Sequence, residues 1–363
     1  MADTLRPSAP GFIALVLVCI VLPLFYGGGE AVAQPTHYTF SATGGGVIPT
    51  TGSPYIGDAA TFGADVALFW QQSDTNVYWH RYWQQPFVGI RANYAHLHNP
   101  LVGDRLGMAL SFQAPIVRKL DWTYSVGFSF YTNPYRLSHN GENKFIGSVV
   151  NCLIDLGVVY NMTFSDSLTL FLAAKLVHSS DAYLYKPNHG LNYLQAELGL
   201  CMGPARKRSF GRPADTTFSP YGNCFVMVAP ATVTSRLTPR DAISYYFAYS
   251  VELGYIRHFH PCFAWGAALD ASYNFSHYRH DESPEVPLYP AMSGFADAAF
   301  GPWTLRVGLA HYLGHFTLYK TQYYERVGLY YRFGKSLRHY VGVGMKVHSD
   351  SIDFMEWTYA IEL

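Results

Sequence analysis

Long stretches of two-residue alternation constrain this chain more than anything else in it. Trp122, Tyr124, Val126, Phe128 and Phe130 alternate with Thr123, Ser125, Gly127 and Ser129. Trp303, Leu305, Val307 and Leu309 repeat the pattern, as do Val341, Val343, Met345 and Val347. A looser version puts Leu168, Leu170, Leu172 and Leu176 on one side. Side chains alternate across a strand, so each stretch has one large apolar face and one small or polar face. Several reach the roughly 9–11 residues that a tilted membrane strand needs, whereas soluble strands average about 5–6. A closed antiparallel sheet in a membrane turns the apolar face to lipid and the small face to the lumen.

Composition points the same way. Charged residues make up 14% of the chain, well under the usual share of about 25%. Tyr (29) and Phe (24) are abundant, as suits a surface that meets headgroups and acyl chains. The formal net charge is zero, which gives no support to nucleic-acid binding, normally marked by a basic patch or stripe. At the N-terminus, Arg6, the apolar run Phe12 to Tyr26 and the small residues Ala31-Val32-Ala33 predict a secretory signal peptide over 1–33, with a mature chain from about Gln34. No later run is long and apolar enough for a helical span. A membrane crossing would therefore use a closed sheet, because only helices and barrels give every backbone group a partner in lipid.

Strands are predicted near 62–70, 87–95, 103–112, 122–131, 146–160, 168–178, 191–202, 245–256, 263–275, 303–313, 324–333, 340–348 and 354–362, with weaker candidates at 37–42 and 221–229. Single-chain bacterial barrels favour even counts, so the expectation is an all-β, antiparallel transmembrane β-barrel of about 12 or 14 strands. Residues 34–363 are expected to form that one barrel. The basic, Pro/Gly-rich stretch 203–220 reads as a loop within it. A faint echo links Lys175 to Leu200 with Lys346 to Leu363, too weak to establish a duplication. Cys152, Cys201, Cys224 and Cys262 show no Cys-x-x-Cys spacing, so a zinc site is not expected; Cys224 and Cys262 are a possible disulfide. The scattered histidines have no carboxylate or Cys at ligand spacing, so neither metal nor cofactor is expected.

The chemistry concentrates in 177–192. His178 continues the face of Leu168, Leu170, Leu172 and Leu176, and Ser180 follows if the extended geometry persists. On the returning strand Asn192 continues the face of Leu194, Ala196, Leu198 and Leu200. Three polar groups thus end two adjacent apolar stripes, an arrangement that costs free energy unless the groups are paired or near headgroups. A His two residues from a Ser on one strand face can take the hydroxyl proton, while a third group orients the imidazole. Such a site would attack an ester in a lipid lying against the barrel. The plain alternative is an interfacial His and Ser in a polar loop. His311 lies on an apolar face without a Ser two residues on, and His348 shares a lumen face with Lys346.

His178, Ser180, Pro187, Asn188, Gly190 and Asn192, with the upstream run from Trp79 to Ser111, resemble the outer-membrane lipid A 3-O-deacylase family, and especially its larger Bacteroidetes-type acyloxyacyl hydrolase relatives. The resemblance covers about 60–200 well and the remainder loosely. It implies an outer-membrane esterase acting on lipid A or lipopolysaccharide among membrane lipid, without a metal. It implies Ser180 as nucleophile and His178 as base. Asn192 falls where the family carries an acid that orients the His. Asp181, Asn188 and Gly190 fall among the oxyanion and substrate-positioning residues, Asp181 standing where the family usually has Asn. An Asn amide donates to an oxyanion, whereas an ionised Asp does not. A structural or transport barrel that has kept the motif without the reaction is the alternative these departures leave open.

Overall fold

In the computed structural model the described residues are 36–48, 60–74, 76–181, 185, 187–204, 218–234, 245–277, 287–316, 321–334, 336–348 and 351–363. The expected signal peptide lies outside them. Among the described residues sixteen strands close into two antiparallel barrels of eight. The first holds β1 (His37–Val47), β2 (Ala60–Gln71), β3 (Phe87–His96), β4 (Asp104–Val117), β5 (Leu120–Tyr131), β6 (Val150–Ser165), β7 (Leu168–Ser180) and β8 (Leu191–Met202). The second holds β9 (Tyr221–Thr234), β10 (Tyr245–His260), β11 (Phe263–Asn274), β12 (Leu288–Phe300), β13 (Trp303–Tyr312), β14 (Tyr323–Phe333), β15 (Arg338–His348) and β16 (Ser351–Glu362).

The all-β barrel expectation holds, but its strand count and single closure do not. β1 pairs with β8 over ten register positions, from Tyr38↔Met202 to Val47↔Tyr193. That pairing occupies the edge of β8, so the segment after it starts a new sheet rather than a hairpin. The new sheet closes where β16 meets β9. The stretch read as an internal loop therefore joins two barrels. Alternation reports which face a residue occupies and says nothing about which edges meet. The weak candidates are full strands β1 and β9, and β12 was not predicted. Its outward positions are Pro290, Gly294, Ala296 and Ala298 beside Leu288, Met292 and Phe300, too small a stripe at its centre to read as a strand face. Cys224 and Cys262 are not bridged to each other.

Eight strands leave an interior that side chains can fill. In the first barrel Arg91 crosses it, pairing with Asp65, Asp155 (2.9 Å) and Glu197 (3.3 Å), while Lys175 meets Glu197 at 2.8 Å. In the second, Arg326 meets Glu252, Asp270 and Glu356, and Arg306 meets Asp297. The outer faces carry exposed apolar side chains, among them Leu172, Leu176, Leu194 and Leu198 on the first barrel and Leu253, Leu269, Val307 and Leu309 on the second. Two-residue turns at Arg118-Lys119 and Gly301-Pro302 join β4 to β5 and β12 to β13, and the longer β2–β3 connection lies at the same end of the first barrel as Arg118-Lys119.

The barrels meet through aromatic side chains at their turn ends. The β2–β3 connection carries a short helix, α1 (Tyr78–Tyr82). Trp83, just after it, stacks on Phe300 with ring centroids 5.0 Å apart and donates its indole N–H to the Ala299 carbonyl at 3.2 Å. Phe112 also reaches Phe300, and Tyr78 Oη lies 3.0 Å from His260 Nε2.

Candidate active site

The register of β7 on β8 sets His178 opposite Asn192. Directly paired residues on neighbouring strands point to the same side, and here that side is the outer one, since Leu172 and Leu176 share His178's parity and are exposed. His178 Nδ1 lies 2.8 Å from Asn192 Oδ1, and His178 Nε2 lies 2.9 Å from Ser180 Oγ. An Nδ1–H donated to the amide oxygen leaves the Nε2 lone pair for the serine hydroxyl. One tautomer therefore satisfies both bonds. Ser179, of opposite parity, points inward to Ser129 Oγ at 2.5 Å and the Cys152 carbonyl at 3.2 Å.

The three residues lie at the end where the longer connections gather. Gly190 has φ +69°, in the left-handed region that favours glycine. A Cβ there would stand 3.1 Å from both His178 Cε1 and Ser180 Cβ, so the backbone itself packs against the pair. The β5–β6 connection holds this glycine: the Gly190 N–H donates to the Phe145 carbonyl and the His189 N–H to the Lys144 carbonyl, each at 3.0 Å. That connection is braced in turn. Asn143 Oδ1 accepts the Phe145 and Ile146 N–H groups, and its amide donates to the Leu101 and Asn133 carbonyls. Asn140 donates to the same two carbonyls.

Asp181 and Asn188 are buried. Asp181 packs on Gly147, where a Cβ would meet its Oδ2 at 2.8 Å. Ser180 is 4% exposed although it shares the outer parity. Sequence reasoning brought His178, Ser180 and Asn192 together and missed the contribution of 140–147. Nothing in the spacing of Asn140 and Asn143 marks their loop as the wall of a site.

The other histidines stand apart. His348 is buried, with Nε2 2.8 Å from Tyr312 Oη, on the lumen side as expected. His311 is exposed on the outer face of β13. Glu197 faces the lumen, where it meets Lys175 and Arg91, not His178. Among the described residues no group of three or more His, Cys, Asp or Glu side chains is arranged to hold a metal ion.

A family model described as "Lipid A 3-O-deacylase (PagL)" matches residues 58–200, and one described as "Acyloxyacyl hydrolase, C-terminal domain" matches residues 222–362. The second match spans the second barrel, and the first spans β2 to β8 and leaves out β1. No curated protein matches the chain. Similar solved structures include CdiB from Acinetobacter baumannii, 10% identical with TM-score 0.20, over 92% of this chain and 60% of that one. The siderophore receptor PirA from Pseudomonas aeruginosa is 11% identical with TM-score 0.27, over 92% and 63%. A Rhodopseudomonas blastica porin variant is 10% identical with TM-score 0.19, over 91% and 99%. The chain thus spans less than two thirds of the first two.

Proposed function

The chain belongs to the outer-membrane lipid A 3-O-deacylase family, and on that premise we propose that it removes a 3-O-linked acyl chain from lipid A with Ser180 as nucleophile and His178 as base. The observation that carries this is the continuous chain Ser180–His178–Asn192, with both imidazole nitrogens engaged at 2.8–2.9 Å. These are the contacts an activated serine needs.

Ser180 Oγ attacks the acyl carbonyl carbon as its proton passes to His178 Nε2. The tetrahedral intermediate collapses, the C–O bond to the sugar breaks, and the sugar oxygen takes the proton back from His178. Water then attacks the acyl-serine with His178 again as base, releasing the fatty acid and restoring Ser180. Asn192 holds the Nδ1–H throughout, as the amide does in Cys-His-Asn sites. Asn188, with its side-chain amide, and the backbone around Gly190 are the groups we assign to steadying the oxyanion. Because the pair lies on the outer wall, the substrate approaches from the surrounding lipid and the lumen takes no part. The Gly190 backbone packs on Ser180, so the carbonyl reaches Oγ only as that cover shifts.

The transport reading has little support. Arg91 and its carboxylate partners cross the first lumen, and Arg326 with its partners crosses the second. A fluorophosphonate probe tests the proposal in purified protein. It should label Ser180 in the native chain and leave His178→Ala unlabelled. Labelling spread over other serines, or unchanged in His178→Ala, would contradict it.

A further inference from the structure

A second polar cluster stands on the outer wall of the first barrel, across the sheet from Ser180. Phe62, His96 and Asp104 occupy one row of β2, β3 and β4, paired Phe62↔His96 and His96↔Asp104. His96 Nδ1 meets Asp104 Oδ1 at 2.6 Å, with side chains 49% and 34% exposed. The Tyr94 hydroxyl donates to the other Asp104 oxygen at 2.8 Å. The His98 ring lies 4.3 Å from that of His96, centroid to centroid, and 5.4 Å from Phe62. His98 holds φ +48°, a left-handed conformation that is strained for a residue with a side chain. Strain of this kind and ionisable groups on an otherwise apolar wall are where a function is expected.

The chemistry selects a cation. Asp104 is fully engaged from behind, by an imidazole N–H and a phenol, and its charge repels a phosphate. Its bond to Nδ1 sets the His96 tautomer and leaves the Nε2 lone pair directed away from the carboxylate. That is the carboxylate–histidine–metal arrangement in which an outer-shell carboxylate orients a ligand. A second imidazole stands alongside. Metal–imidazole bonds of about 2.0–2.1 Å let one ion join two rings this close after rotation about their broad χ2 torsions. We propose that His96 and His98 form a two-imidazole site for a divalent transition ion of the zinc, copper or nickel class, the ions that imidazole suits, with Asp104 as the orienting partner. The remaining coordination positions open outward from the wall.

Copper(II) is the probe, because nitrogen hyperfine splitting in its paramagnetic resonance spectrum counts the imidazoles bound. Titrated into the full chain in detergent, it should show one site with two equivalent nitrogens, displaced by zinc. His96→Ala and His98→Ala should each remove that signal. Asp104→Asn should keep both nitrogens and weaken binding by about 10- to 100-fold, the usual cost of an outer-shell partner. Ser180→Ala should bind as the native chain does. A two-nitrogen signal that survives in His96→Ala would assign the copper to other histidines and overturn the proposal. So would the absence of any such signal in the native chain. Native-like heat-modifiable migration of each variant on electrophoresis separates loss of ligand from loss of fold.

Discussion

At the residue scale, the proposed chemistry belongs to three side chains and a glycine. His178, Ser180 and Asn192 were legible because strand parity is local: an unbroken period of two carries the apolar stripe of β7 straight into His178. Ser180→Ala should reduce deacylation by several orders of magnitude. Asn192→Ala should cost less, because the imidazole keeps its place on Ser180 and loses only its orientation. Asn192→Asp should raise the rate, since a carboxylate at 2.8 Å from Nδ1 stabilises the imidazolium where an amide cannot. A rate unchanged in both Asn192 variants would remove it from the mechanism. Gly190→Ala separates geometry from stability. The left-handed backbone adds about 1–2 kcal/mol of strain. The new methyl, 3.1 Å from both His178 and Ser180, should shift them enough to lower the rate on the order of 100-fold. Urea unfolding and a kinetic assay on the same preparation give both numbers. What parity could not reveal was the support of the Gly190 backbone that covers Ser180, which comes from a connection more than thirty residues upstream, at Lys144 and Phe145.

At the element scale, strands with a strong stripe were legible and those with a weak one were not. β12 was missed for its small outward residues, and β1 was underestimated because Gly44, Gly45 and Gly46 dilute its pattern. The lumen networks bind the elements together. Arg91→Met leaves Asp65, Asp155 and Glu197 buried with one cation fewer, and should destabilise the first barrel by about 3–5 kcal/mol, measured by unfolding in detergent. The same scale distinguishes β15 from β7. Lys175 and Lys346 both face the lumen, but His178 follows its lysine by three residues and His348 by two. The odd step sends His178 outward and the even step keeps His348 inside, beside Tyr312. His348→Ala should therefore leave deacylation unchanged in folded protein. A loss comparable to that of His178→Ala would show that the second barrel takes part in the chemistry.

At the scale of the whole molecule, the chain is two filled barrels joined by aromatic packing, and this was the least legible level. Closure depends on which edges pair, and period-two alternation is identical in one large barrel and two small ones. Trp83 is the centre of the junction, touching Phe112, Trp122, Phe263 and Phe300. Trp83→Ala should remove about 3 kcal/mol of packing and split one unfolding transition into two. A single unshifted transition would mean that the barrels are coupled elsewhere. Deacylation of lipid A by Ser180 on the outer wall of the first barrel is tested by mass spectrometry of lipid A. Cells making the native chain should be compared with cells making Ser180→Ala at equal level in the outer membrane. Lipid A should be lighter by one hydroxyacyl chain with the native protein and intact with the variant. Identical lipid A in both, with both proteins folded in the membrane, would contradict it.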